Sequence, residues 1–409
     1  MILSFYQNYS IYDLVIKMLF KKSLVKFLFL LTLSFLLFVN VGNSKNDFYF
    51  TGIESSRKIP QITTINVNEI ANQQQFQNPK TLSIVNQPKE QKGLNIFHIF
   101  MGVMAGLVLF LYGVSKMAAG MEALAGDRVR NILRNFTTNP LAGVMTGTIA
   151  TTILDSSSVT IIIVIAMVSA GLLTYVESLG VVLGSNIGTT FGVQVVAFNI
   201  DEYAPIALFI GFLLFLVGKS ERLKQIGLIL LGFGFLFFGL GYIEDATAPF
   251  RDYPEFINWM ESLGHNTLQG ALVGCLFTVL IQSSSATDAI VVTLASQGLI
   301  SLPTGIALVL GAEVGTCADT LVATIGRERP AIRTGVFHVL FNLASVVVGL
   351  LFASQLATFS QWVSALMGAG DDVARQIANA QLIFNLLGVL LVLGFLPWVA
   401  RGLERLIPD

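Results

Sequence analysis

Apolar positions in this chain gather into long blocks with short polar breaks between them. From residue 96 onward such blocks run over about 97–118, 176–198, 204–218, 223–243, 303–325, 334–354 and 377–400. Each approaches the ~20 residues a helix needs to cross the hydrocarbon layer of a bilayer, and 204–218 is the shortest. Two more apolar regions, 140–172 and 267–300, are interrupted midway by a run of serines, so each half is too short for a full span. The pattern predicts an all-α polytopic membrane protein with re-entrant or broken helices.

The first ninety-odd residues differ. Lys21, Lys22 and Lys26 precede an apolar run from Phe27 to Val41, and Gly42 and Ser44 follow it. Basic, then apolar, then small is the order of a secretory signal, and Met18 is a better-placed start for it than Met1. Residues 1–44 are therefore expected to be a signal peptide or a signal anchor. Residues 45–95 are polar and rich in Gln, Asn, Lys and Pro, too poor in apolar residues to bury a core. A disordered extracytoplasmic tail is expected there, with at most a short strand near Ile62–Val67. The transmembrane domain then covers 96–409.

Composition agrees with a membrane setting. Hydrophobic residues make up 54% of the chain and charged residues 12%, and the mean hydropathy is +0.73. Charged residues supply roughly a quarter of an ordinary soluble domain. The net charge of -1 offers nucleic acid no electrostatic footing. Cys275 and Cys317 sit inside apolar stretches without metal-like spacing and read as packing residues.

Loop charges give an orientation. Arg128, Arg130 and Arg134 form one basic loop, Lys219, Arg222 and Lys224 a second, Arg327, Arg329 and Arg333 a third, and Arg401 with Arg405 a fourth. Between them lie Asp201 and Glu202, then Glu244, Asp245, Asp252, Glu255 and Glu261, then Asp371 and Asp372. Basic loops face the cytoplasm. The expected arrangement thus has the amino-terminal tail outside and the carboxyl terminus inside.

The chain also repeats itself. Residues 141–198 align with 268–325 without a gap, and nineteen of the 58 positions are identical. The matches include Gly143/Gly270, Gly147/Gly274, Ser156–Ser158 with Ser283–Ser285, Thr160/Thr287, Gly171/Gly298, Gly184/Gly311, Gly188/Gly315 and Thr189/Thr316. Two unrelated apolar segments would share Leu and Val, not the same Ser, Gly and Thr positions. Repeat 1 (about 140–198) begins after a basic loop and repeat 2 (about 267–325) after an acidic one, with three spans between the serine-containing units. The copies are therefore expected to be inverted. Inverted repeats with interrupted helices are an architecture of secondary transporters, which bind substrate near the midplane.

Each repeat carries two expected interruptions. One is Asp155-Ser156-Ser157-Ser158, matched by Gln282-Ser283-Ser284-Ser285. The other is Gly184-Ser185-Asn186-Ile187-Gly188-Thr189-Thr190, matched by Gly311-Ala312-Glu313-Val314-Gly315-Thr316-Cys317. A half-helix starting at membrane depth aims free N–H groups at an anion, and hydroxyls can donate to that anion or accept around a small cation. Small residues in spans also serve close helix packing, and Gly180, Gly184, Gly188 and Gly192, four apart, fit that role. Asp155, Asp288, Glu313 and Asp319 are intramembrane carboxylates, which default to function and suit a cation pathway. His338 with Asn342, and Gln381 with Asn385, are expected to make interhelical hydrogen bonds first and substrate contacts second.

These paired motifs, with the lead-in Gly-Val-Ser-Lys-Met-Ala-Ala-Gly-Met-Glu-Ala-Leu-Ala-Gly at 113–126, resemble the type II sodium–phosphate cotransporter family over about 96–400. The resemblance implies sodium-coupled transport of inorganic phosphate, with sodium as coupling ion and no other cofactor or metal. It also implies that Ser156, Ser157, Ser158, Gln282, Ser283, Ser284 and Ser285 line the substrate site. Asn186, Thr189 and Thr316 would support that site, and with Asp155, Asp288 and Glu313 they form the expected cation-binding set. Asp155 stands where the family carries Gln, and Glu313 where it carries Asn. A same-fold transporter of another solute, or one coupled to protons, is the alternative. An intramembrane hydrolase using a serine with His338 is a remote one, because the chain lacks a Gly-x-Ser-x-Gly elbow. The partners expected are phosphate, sodium and the lipid bilayer; a homo-oligomer is left open.

Overall fold

The computed structural model describes residues 95–198 and 201–408. The expectations for the signal segment, the polar tail and a strand near Ile62–Val67 lie outside the described residues. Within them the protein is all helix: α1 (Ile96–Phe136), α2 (Pro140–Leu154), α3 (Ser157–Ser169), α4 (Tyr175–Ala197), α5 (Ala204–Val217), α6 (Glu221–Thr247), α7 (Pro254–His265), α8 (Thr267–Ile281), α9 (Ser284–Ser296), α10 (Leu302–Gly315), α11 (Cys317–Ala323), α12 (Arg329–Leu351), α13 (Ala353–Leu366) and α14 (Val373–Leu406). Six stretches are long and apolar enough to cross a membrane: α1, α4, α6 with its 3₁₀ extension, α10 with α11, α12 and α14. The bent pair α7 and α8, which meet at 105°, makes a seventh if counted as one span.

Leucines at 268, 272 and 276 on α8 and at 386, 387, 390 and 391 on α14 face outward, while Thr146, Thr151, Ser178, Thr190, Asp288 and Gln381 are buried. A water-soluble protein arranges these residue types the other way round. Lipid supplies no hydrogen bonds, so polar groups turn inward to find partners there.

The serine runs are helix breaks, as the pattern predicts. Asp155 ends α2 in the left-handed conformation (φ 50°, ψ 35°), and Gln282 ends α8 in the same way (φ 63°, ψ 29°). In both repeats the next residue caps the following helix: the Ser156 hydroxyl accepts from the Val159 N–H, and that of Ser283 accepts from the Ala286 N–H. The chain then folds back on itself. Thr151 Oγ1 donates to Thr160 Oγ1 at 2.9 Å, and Thr278 Oγ1 to Thr287 Oγ1 at 2.8 Å. Nine residues of straight helix would hold those groups roughly 13 Å apart. Each unit is therefore a helical hairpin, buttoned near its tip by a threonine pair. Gly171 (φ 68°) and Gly298 (φ 74°) turn the chain out of the two hairpins at equivalent positions.

One expectation is corrected. Gly184–Thr190 does not interrupt repeat 1, because α4 runs unbroken from Tyr175 to Ala197. Its polar groups are satisfied inside the helix: Asn186 Nδ2 donates to Val182 O, and Thr189 Oγ1 to Ser185 O. Its glycines let α2 approach, and a Cβ on Gly184 would fall on Val144 O. Only repeat 2 breaks at this level, at Thr316 between α10 and α11. The stretch 204–218 is short as expected: α5 there has 14 residues, about 21 Å of helix.

Candidate functional site

Asp155, at the first break, faces a cavity of about 220 Å³. Met117 and Phe110 of α1, Phe191 and Gly192 of α4, and Phe237 of α6 share its walls. So does Ser285, third serine of the second hairpin, which brings the two repeats together at one space. The sequence pairs these breaks by homology alone, and the fold makes them neighbours.

The serines divide by position. Ser156 and Ser283 accept the capping N–H groups through their hydroxyl oxygens, and the O–H of each can still donate. Ser157 and Ser284, the first residues of α3 and α9, are buried. The first turn of each of these helices has N–H groups that its own helix cannot satisfy, beyond the one taken by the cap. Ser158, on α3, lies beside Asp319 of α11, so the first hairpin meets the second repeat here.

Repeat 2 also holds a polar cluster with no counterpart in repeat 1. Gln381 Nε2, from α14, donates to Asp288 Oδ2 at 2.6 Å and, at 3.3 Å, to Glu313 Oε1. Asn385 Nδ2, one turn along, donates to the same Glu313 oxygen at 2.9 Å. From α12, Asn342 Nδ2 contacts Glu313 O at 3.2 Å and His338 Nε2 at 2.9 Å, and His338 Nδ1 meets Thr320 Oγ1 at 2.8 Å. Asp288 is 0% exposed, Glu313 3% and Gln381 1%. Asp288 Oδ1 and Gln381 Oε1 have no hydrogen-bond partner although both are enclosed. Two orphaned acceptor oxygens beside a second carboxylate form a setting that a cation or a proton satisfies. The aligned positions in repeat 1 are Ile161 and Asn186.

Of the expected cation set, Asp288 and Glu313 meet here, while Asp155 lies in the cavity wall. Thr316 Oγ1 donates to Glu313 O. Asn186 and Thr189 bond their own helix, as described above. The four amide and imidazole residues of α12 and α14 do make interhelical hydrogen bonds. Sequence reasoning undervalued Gln381, whose bond to Asp288 spans 93 positions, and it left Asp319 in the general cation pathway, outside the cation-binding set. The signal for Asp319 was present in the alignment, where it falls opposite a glycine, Gly192.

YqeW of Bacillus subtilis is 30% identical over 310 residues, which cover 76% of this chain and 99% of that protein. YjbB of Salmonella typhimurium, whose name proposes inorganic phosphate export, is 26% identical over 317 residues, 77% of this chain and 56% of YjbB. The human sodium-dependent phosphate transport protein 2B is 32% identical over 136 residues, 31% of this chain and 20% of that one. No solved structure shows significant similarity. The Na+/Pi-cotransporter family pattern matches residues 109–245 and 253–393, one stretch for each half of the described fold. The chain is a multi-pass membrane protein of the Na+/Pi-cotransporter family, a transporter family and not an enzyme family.

Proposed function

We propose that this protein couples sodium to the movement of inorganic phosphate across the cytoplasmic membrane, through two inverted repeats whose hairpin tips form the substrate site. The observation that carries the reading is the shared cavity of Asp155 and Ser285 between two like helix breaks. Phosphate is met by hydroxyls and free N–H groups at the starts of α3 and α9, from Ser156, Ser157 and Ser158 on one side and Gln282, Ser283, Ser284 and Ser285 on the other. Sodium is held by oxygens: Asp155 near the cavity, and Asp288 with Glu313 in the buried cluster, with Thr316 at the end of the Glu313 helix and Asn186 and Thr189 at the aligned positions of α4. Cations bound first make an otherwise acidic interior acceptable to an anion.

Inversion requires an odd number of crossings between the hairpins, and so requires α5 to cross. Its charge distribution supports this: Asp201 and Glu202 precede it, while Lys219 and Arg222 follow it. Its flanks can thin the bilayer locally to match a short helix. The basic loops, and with them the carboxyl terminus, then lie in the cytoplasm.

The test is labelled phosphate flux in proteoliposomes with an imposed sodium gradient, with arsenate and sulfate as competitors. Sodium-driven flux blocked by arsenate and not by sulfate is expected. Flux indifferent to sodium would refute the coupling. Proton coupling is a second reading, favoured by the enclosed Asp288 Oδ1, and it predicts flux driven by a pH gradient at zero sodium. Loading the vesicles on either side addresses export, which the name of YjbB proposes for that relative; a symporter runs down whichever combined gradient is imposed.

A further inference from the structure

The repeat alignment puts three pairs in register around the junction of the repeats: Asp155 with Gln282, Ser158 with Ser285, and Gly192 with Asp319. Within these three pairs each repeat has one carboxylate, but on a different element. Repeat 1 carries it at the break, and repeat 2 carries it on the helix beyond the hairpin.

The geometry explains the exchange. A Cβ built on Gly192 would fall on Oδ1 of Asp155. With Asp155 so placed, position 192 has no room for a side-chain stem, while the aligned position 319 carries one. The break itself accepts either residue, since Asp155 and Gln282 share one backbone conformation. The serine partners are crossed between the repeats. Ser158 of the first hairpin meets Asp319 of repeat 2, and Ser285 of the second hairpin shares the cavity with Asp155 and Gly192 of repeat 1.

We propose that Asp155 and Asp319 are equivalent acids of two symmetry-related cation half-sites, each completed by the third serine of the opposite hairpin. Position 192 is glycine because the acid of that half-site arrives from the break. A carboxylate and a hydroxyl are hard oxygen donors suited to an alkali cation. The serine can accept toward the cation while its proton points to the carboxylate. Naming the cation as sodium rests on the coupling proposed above.

The test moves the acid within each half-site. Purified full-length protein is unfolded thermally while sodium chloride replaces choline chloride at constant ionic strength, and the sodium concentration giving half-maximal stabilisation is read. Asp155→Gln and Asp319→Gly, which each remove one acid, are expected to raise that concentration about tenfold, or about 1.4 kcal/mol of binding. The double variant Asp155→Gln/Gly192→Asp rebuilds the repeat 2 arrangement in repeat 1, and Gln282→Asp/Asp319→Gly does the reverse. Each double is expected to return close to the wild-type concentration. If one double does not fold, the other decides. Doubles no better than their parent singles, or wild type that sodium does not stabilise, would overturn the proposal. Sodium stabilisation with the expected rescue but without phosphate flux would uphold the half-sites and refute the phosphate reading.

Discussion

The buried cluster around Gln381 allows a quantitative prediction. One amide nitrogen donates to Asp288 at 2.6 Å and to Glu313 at 3.3 Å, in a region with almost no exposure. Gln381→Met keeps the length of the side chain and removes both bonds. Glu313 retains its 2.9 Å bond from Asn385, so most of the loss falls on Asp288. A hydrogen bond to a charged group contributes about 1.5–3 kcal/mol. If Asp288 is ionised when sodium is bound and protonated when it is not, the penalty falls on the bound state alone. Taking about 3 kcal/mol, sodium binding should weaken about 100-fold. Asn385→Leu, which leaves Glu313 its weaker bond from Gln381, should cost about tenfold. Sodium titration of purified protein, by scintillation proximity with radioactive sodium, reads both. A Gln381→Met curve within a factor of three of wild type, at normal yield, would refute the reasoning. An equal loss of thermal stability with and without sodium would assign the amide a structural role instead.

Three further outcomes are expected. Ser157→Ala and Ser284→Ala should each depress phosphate flux at least tenfold with near-normal expression, because a missing hydroxyl costs a buried helix about 1 kcal/mol but costs a site a ligand; parallel loss of protein and flux would favour a packing role. Single cysteines near Arg130, Lys224 and Arg333 should resist a membrane-impermeant thiol reagent in intact cells while those near Asp252 and Asp371 react, and reaction of both sets would sink the inverted arrangement. Gly311→Ala should abolish folded protein in a detergent-extraction assay, since its Cβ would fall on the backbone oxygen of Ala271; a monodisperse variant would show that the two helices can separate.

Much of the scaffold is legible in the sequence because lipid imposes a strong rule on it. Apolar blocks predicted to begin at 97, 176, 303 and 377 became helices beginning at Ile96, Tyr175, Leu302 and Val373. The hairpin breaks are legible because duplication separates what the fold requires from what composition scatters. The polar stretch at Gly184–Thr190 misleads for a physical reason: Asn186 and Thr189 bond carbonyls one turn back, so a polar composition there carries no break. The amide partners of Asp288 and Glu313 are not legible, because they come from α14, whose Gln381 and Asn385 read as ordinary helix-packing groups. Spatial neighbours far apart in sequence leave no periodic trace.

The divergence between the repeats bears on how a symmetric scaffold could couple two solutes. In an inverted pair, exchanging the conformations of the halves converts one access state to the other, and identical halves would make the two states equal in energy. Here the halves agree in hairpin, cap and threonine button but differ in charge. Asp288 and Glu313 of repeat 2 stand opposite Ile161 and Asn186 of repeat 1. On the inverted reading, the state in which repeat 2 encloses this acid pair is costly until a cation or proton neutralises it. The corresponding state of repeat 1 carries no such cost. A ligand shifts a two-state equilibrium only by its differential affinity for the two states. On the proposed function, the asymmetric acid pair would supply that difference for the cation, while the two like serine tips would treat phosphate nearly alike in both states. Coupling then resides in the residues by which the repeats differ, and passage of the anion in those by which they agree.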